Sequence, residues 1–293
     1  MTGTIRTSRR SAMCTIGAAG VAAATGTAVA PAQAQVRLKK ATAFAVIGDR
    51  YHNSDYIRSA LGKTLVRDAG LSIDFTDEKK ALTAENLKGY KMLIMFCDGM
   101  QWPNGYGMRG YYAGYGRDIE IMSDPPLPDY KAEPVMWMQP EQGRAVKEFV
   151  ENGGAAFFYH NNSHVSLASQ DYRDVEGAIY TGHPAIRPFK VQITNHDHPI
   201  TRGVGDFIIT DEQHYVKYDK DAKYVLMRSI NEDGHEYRSS IGNQGTSCEA
   251  GWAYDYGNGR VCFMAPGHMI TVLWNPEYEK LQKNAVRWLL KEI

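Results

Sequence analysis

Residues 150–164 read Val150-Glu151-Asn152-Gly153-Gly154-Ala155-Ala156-Phe157-Phe158-Tyr159-His160-Asn161-Asn162-Ser163-His164. This is the end of a helix, a Gly-Gly turn, a short apolar run with the length of a buried strand, and an abrupt polar stop at a histidine. In an open α/β sheet, ligands and chemistry gather at the carboxyl ends of the strands. Neither Cys nor Ser stands at the turn. The stretch therefore predicts an α/β sheet whose central strand delivers an imidazole, His160, rather than an acyl-forming nucleophile.

Working outward, Thr42 to Gly48, Leu71 to Phe75 and Lys91 to Cys97 are further apolar runs. Between the first two, Ile57, Leu61 and Leu65 recur at four-residue spacing, a helix that Ser54 can cap and that ends near Gly70. Thr83 to Leu87 is a short helix. The β-α-β-α-β order argues a parallel, doubly wound sheet. Glu141 to Asn152 is the helix feeding the Ala155–Tyr159 strand. Later strands are expected at Phe189 to Thr194, Tyr224 to Ser229, Gly251 to Tyr256 and Val261 to Ala265, the last two joined at Gly257-Asn258-Gly259. Glu277 to Leu290 closes the chain as an amphipathic helix burying Leu281, Ala285, Trp288 and Leu289. Residues 100–140 break the pattern, being rich in Gly, Tyr, Trp, Met and Pro. Loops this long inside a domain are functional lids, edge packing or disorder. Trp102, Tyr106, Tyr111, Tyr112, Tyr115 and Trp137 argue against disorder. Packing and a substrate-covering role are both open.

Ser8-Arg9-Arg10-Ser11-Ala12-Met13, an Ala/Gly-rich run from Ile16 to Ala30 and Ala32-Gln33-Ala34 together form a twin-arginine export signal. The expected layout is a signal over 1–34 and one domain over 35–293 with an insertion at 100–140, the mature protein residing in the periplasm. The apolar run is too short and too rich in Gly and Thr to anchor in a membrane. The chain has 33 basic and 33 acidic residues. Loss of Arg6, Arg9 and Arg10 with the signal leaves a net charge of about −3. Such a protein has no electrostatic footprint for nucleic acid and no polybasic membrane patch. Cys97, Cys248 and Cys262 remain, an odd number without a CxxC pair, so a disulfide framework and a thiolate zinc site are both disfavoured. Cys97 and Cys262 read as buried strand residues. Nothing in the composition separates a monomer from a homo-oligomer.

Four polar groups fall where strands end: His52, Asp98, His160 and His268. All ends of a parallel sheet lie on one edge, which is the reason to group residues so far apart in sequence. A lone histidine is more often structural than catalytic; several at one edge argue function. Glu212, after the apolar run Phe207–Ile209, is a candidate carboxylate for the same place. His196 and His198 alternate and so point apart on a strand; His198-Pro199 fixes a turn. Asn53, Asn161, Trp102, Tyr215 and Trp252 are the candidate substrate contacts.

The segments His198-Pro199-Ile200-Thr201-x-Gly203, Asp211-Glu212-x-x-Tyr215, Gly259-Arg260-Val261 and Gly267-His268, with Gly153-Gly154 through His160, resemble the ThuA-like (trehalose-utilisation) family over about residues 42–290. The aromatic insertion and Asn161-Asn162 depart from its pattern. The resemblance implies a class I glutamine-amidotransferase-like fold without its cysteine. This is a three-layer, mostly parallel, flavodoxin-like α/β sheet. It also implies carbohydrate metabolism, often beside enzymes that oxidise sugars to keto-sugars.

With imidazole and carboxylate as the available chemistry, the expected reaction is cleavage of a keto-glycoside. His160 or His52 would remove the acidified C–H proton, and Glu212 or His268 would protonate the departing oxygen. His52, His160 and His268 also make a zinc-type triad for a divalent metal. No nucleotide cofactor is expected. The alternative is a periplasmic sugar-binding or accessory protein, its cleft made by the insertion and Trp252.

Overall fold

The computed structural model of the chain describes residues 40–103, 105, 123–126 and 133–293. The expected export signal and Tyr106, Tyr111, Tyr112 and Tyr115 lie outside the described residues. In chain order the strands are β1 (Ala43–Ile47), β2 (Ile73–Thr76), β3 (Met92–Phe96), β4 (Met100–Gln101), β5 (Val135–Met136), β6 (Ala155–Tyr159), β7 (Ala178–Gly182), β8 (Arg187–Ile193), β9 (Phe207–Asp211), β10 (Tyr215–Tyr218), β11 (Val225–Ile230), β12 (Tyr237–Ser239), β13 (Gly242–Gly245), β14 (Ser247–Tyr256) and β15 (Gly259–Met264). The helices are α1 (Ser54–Leu61), α2 (Ala84–Leu87), α3 (Pro140–Glu151), α4 (Gln170–Glu176), α5 (Ile270–Leu273) and α6 (Pro276–Leu289).

A nine-stranded sheet runs in the order β2-β1-β3-β6-β15-β14-β11-β8-β9. Its first five strands are parallel. Every residue of β1, β3 and β6 is buried, as both-face coverage by helices demands. Helices α1 and α6 both contact α5, and α3 contacts both α2 and α4. These are the two helical layers of an α/β sandwich, the class read from the sequence. Strands β14, β11, β8 and β9 then extend the sheet antiparallel.

Local chemistry explains the elements. Pro140 opens α3 inside a capping box made by Gln139 and Gln142. Gly153 takes φ 105°, reversing the chain from α3 into β6. In α6, Leu281, Ala285, Trp288 and Leu289 are all buried, as their spacing predicts. The first helix differs in two details. Its cap is Asn53, not Ser54, because the Asn53 side chain accepts from the Asp55 amide at 2.7 Å. Past Leu61 it continues as a π-wound turn over Gly62–Arg67. At the base of the insertion, β4 and β5 pair antiparallel. There Trp137 is buried and donates Nε1 to the Asp98 carbonyl at 2.6 Å. Cys97, Cys248 and Cys262 are buried and unbridged.

The order β2-β1-β3-β6 reverses direction between β1 and β3, and that switch opens a crevice at their carboxyl ends. Four antiparallel steps separate β15 from β9, an even number, so β9 points the same way as β15 and its end faces the same edge. In a flat sheet four strand spacings of about 4.8 Å would separate β15 from β9. Yet Asp211, the last residue of β9, accepts from the amides of Gly267 (2.7 Å), His268 (3.3 Å) and Met269 (3.1 Å), just past β15. The antiparallel half therefore curls back over the edge of the parallel half.

Candidate functional site

Asp49, directly after β1 and its glycine, ties three strand ends together. Its carboxylate accepts from the amides of Tyr51 (2.7 Å), His52 (2.9 Å) and Asp98 (2.7 Å) and from Asn161 Nδ2 (2.9 Å). His52 Nδ1 lies 2.9 and 3.0 Å from its two oxygens. Burial opposes the Asp49 charge, but His52, Asn161 and the amides outweigh it and hold the carboxyl well below its usual range. A carboxylate only accepts, so the His52 proton sits on Nδ1 and Nε2 presents its lone pair. That Nε2 lies 3.0 Å from His268 Nδ1.

His160 occupies the sharp turn after β6 with φ 51°. This left-handed conformation costs a non-glycine residue on the order of 1–3 kcal/mol and clusters at functional positions. Its Nδ1 donates to the Ala265 carbonyl at 2.7 Å, which leaves Nε2 as a lone pair. Nε2 is buried, has no hydrogen-bond partner among the described residues, and stands 3.5 Å from Glu212 Oε2. Burial lowers the His160 pKa, so the ring is neutral. A lone pair facing a carboxylate oxygen is repulsive unless a cation lies between them.

Glu212 is the hub. Its Oε2 is 3.2 Å from His268 Nδ1, 3.4 Å from His214 Nε2 and 3.7 Å from His183 Nε2. Burial raises its pKa, but the imidazoles of His160, His214 and His268 beside it more than reverse this, and the carboxyl is held far below its usual range. Burial alone would lower His268; its bond to Glu212 and that charge raise it. His214 is pushed well below its ordinary value by burial. His52, His160, Glu212 and His268 offer ligand atoms all within 4.8 Å of one another. Bonds of 2.0–2.1 Å to a tetrahedral cation imply ligand–ligand edges of about 3.3 Å. The 3.0, 3.2 and 3.5 Å separations among these four match such edges. The donor set fits a divalent metal of the zinc type.

The cluster opens into a cavity of about 330 Å³, lined among others by Tyr51, Asp98, His164 and Tyr180. Asp98 holds His164 Nδ1 at 3.0 Å from both carboxylate oxygens, which fixes a tautomer with a free Nε2 lone pair.

The family pattern described as trehalose utilisation, ThuA, matches residues 39–289. The chain belongs to the ThuA family. A ThuA-like protein from Parabacteroides merdae ATCC 43184 superposes with a TM-score of 0.58 at 15% identity, over 87% of this chain and 91% of that one. Another from Bacteroides uniformis ATCC 8492 gives 0.54 at 15% identity, over 84% and 90%. These likenesses establish the shared fold. A search of curated proteins finds no match to the chain.

Within this ThuA fold, His52, Asp98, Asn161, His160, Glu212 and His268 come together as grouped from the sequence. Other expected substrate contacts do not. Asn53 is spent capping α1 and is exposed, outside the cavity. Trp102 lies edge-on to Tyr51 at 5.7 Å and borders a neighbouring groove with Asn53. Tyr215 is buried and donates its hydroxyl to the Gly245 carbonyl at 3.0 Å. Trp252 is fully buried, stacked on Phe263 at 4.2 Å, with Nε1 bonded to the Glu176 carbonyl at 2.7 Å. Both aromatics read as sugar platforms because sequence shows the ring but not the strand face it occupies. Asn161 lines the cavity and also braces Asp49. Asp49, His164, His183 and His214 were not singled out. The available signal was their position immediately after a strand or beside a singled-out residue. Burial pushes the Cys97 thiol up to about 12, so it offers no thiolate.

Proposed function

We propose that this ThuA-family protein cleaves a keto-glycoside by imidazole and carboxylate chemistry at the sheet-edge cavity. The observation that carries the reading is the buried His160 Nε2, its lone pair set 3.5 Å from Glu212 Oε2 at a strained strand end beside the cavity. The cavity, about 330 Å³, is at the small end of small-molecule sites, a size suited to a sugar ring.

His52, His160, Glu212 and His268 would hold a divalent cation, which when bound polarises a ketone oxygen and so acidifies the neighbouring C–H. His164, oriented by Asp98, is a proton-transfer group of the cavity not committed to that cluster. In the proposed reaction its Nε2 takes the proton from the carbon beside the ketone. The electron pair left behind forms the carbon–carbon double bond as the glycosidic C–O bond breaks. The protonated His164 ring returns that proton to the departing oxygen, directly or through water, and the oxygen leaves as an alcohol, giving an unsaturated keto-sugar, to which water can add. Of the two roles expected of His160 and His52, this reaction uses the cation-holding one and not that of the base.

The sugar-binding alternative makes its cleft from the 100–140 insertion and Trp252, and of these Trp252 lies in the core. Export by the twin-arginine route is part of the proposal, and it predicts a mature protein beginning at Gln35.

The test pairs metal analysis with turnover of 3-keto-glycosides by the full-length protein and by His160→Asn. Asparagine tolerates positive φ, so this variant preserves the turn while removing the ligand. Turnover by the parent and a loss of at least about 100-fold in the variant are expected. Binding without product in the parent would sink the catalytic reading.

A further inference from the structure

Glu212 has more imidazoles around it than one cation can use. His52, His160, His268 and Glu212 already supply the four ligands of a tetrahedral ion. His183 and His214 remain, and with Glu212 they form a second group whose ligand atoms lie within 4.8 Å of one another. They come from different elements. His183 follows β7 and His214 precedes β10, strands that pair antiparallel as a separate two-stranded sheet. Glu212, after β9, lies between this sheet and the parallel edge.

His183 repeats the local chemistry of the first group. His183 Nδ1 donates to the Pro184 carbonyl at 2.8 Å, so in the neutral ring Nε2 presents a lone pair to Glu212 Oε2 at 3.7 Å. His214 Nε2 stands 3.4 Å from the same oxygen. Its ring is sandwiched between His160 (centroids 4.0 Å, 30°) and His183 (5.1 Å, 14°). The His214 side chain is 2% exposed. Its Nδ1 has no hydrogen-bond partner among the described residues. Such near-parallel stacking suits neutral imidazoles and disfavours three mutually repelling imidazolium ions. Each of these separations lies near the edge length of a metal coordination shell.

We propose that the site is dinuclear. Glu212 bridges two divalent cations, one held by His52, His160 and His268 and the second by His183 and His214. This rests on the reading of the first group as a metal site. Bridged pairs sit about 3.5–4 Å apart and clamp two oxygens at once. The ligand class that fits is a sugar with neighbouring ring oxygens, such as a ketone beside a hydroxyl.

The experiment is zinc titration of chelator-stripped full-length protein, followed by calorimetry and elemental analysis. The parent is compared with His183→Ala and with the His183→Ala/His214→Ala double variant. Two equivalents in the parent and one in the double variant are expected. Substitution of partly exposed His183 alone should weaken the second equivalent by at least about 10-fold, which keeps the test valid if the double variant misfolds. One equivalent in both parent and variants would overturn the second cation and leave the first intact. Two equivalents in every variant would assign the second ion elsewhere and overturn it as well. No zinc in the parent would remove both cations. As a separate readout, manganese-loaded parent should give the spin-coupled spectrum of a metal pair, and an isolated-ion spectrum would count against the bridge.

Discussion

Gly267 sits against His160 so closely that a Cβ at position 267 would stand 2.9 Å from the His160 Cβ and 3.0 Å from the Phe96 ring. The loop after β15 therefore packs directly on the strained turn after β6. The contact holds His160 Nδ1 on the Ala265 carbonyl. Gly267→Ala is expected to force these loops apart. A stability loss of about 1–3 kcal/mol should follow from overpacking. Zinc affinity should fall further than the stability loss alone explains. Melting curves with and without zinc would check both; parent-like affinity would show that the approach is not what places His160.

Asp49 fixes the tautomer of His52. Carboxylate partners of ligating histidines are typically worth about 10–100-fold in metal affinity or activity. Asp49→Asn keeps an acceptor for the amides of Tyr51 and His52 but loses the charge that holds the Nδ1 proton. A drop within that range is expected, with secondary structure retained by circular dichroism. Unchanged zinc affinity would mean that His52 does not need its carboxylate.

Glu176, at the end of α4, is fully buried. Ser166 donates to its Oε2 at 2.6 Å, and Oε1 has no partner among the described residues. Burial raises its pKa from 4.5 to about 8. The folded state thus binds this proton more tightly than the unfolded chain does. The resulting stability is fully present below about pH 4.5 and is lost as pH rises towards 8, on the order of a few kcal/mol. Glu176→Gln should flatten that part of the profile and stabilise the protein near pH 8. Urea melts of parent and variant at pH 5, 6.5 and 8 read this directly, and parallel profiles would remove Glu176 as the cause.

Trp252 is a core residue whose indole N–H satisfies the Glu176 carbonyl. Trp252→Phe leaves that carbonyl short of a donor and should cost about 1–3 kcal/mol. Sugar affinity and turnover should not change. A selective loss of ligand binding at unchanged melting temperature would return Trp252 to the site.

Adjacent residues alone specify the parallel half. The fully apolar runs of β1, β3 and β6, the four-residue period of α1 and the Gly153 reversal each encode an element within a few adjacent residues. Polar residues just past those runs marked His52, Asp98 and His160, because a parallel sheet must put its strand ends on one edge. The same reasoning marked His268 past β15 and Glu212 past the apolar run Phe207–Ile209. How β9 returns to the edge is visible only in the folded chain. That depends on the curl of four antiparallel strands, whose alternating residues do not encode sheet curvature. The same curl brings Glu212 to His160 and sets His183 and His214 beside it. It was likewise decisive for Trp252 and Tyr215, since an aromatic ring favours a core and a sugar face equally until the strand's two sides are known.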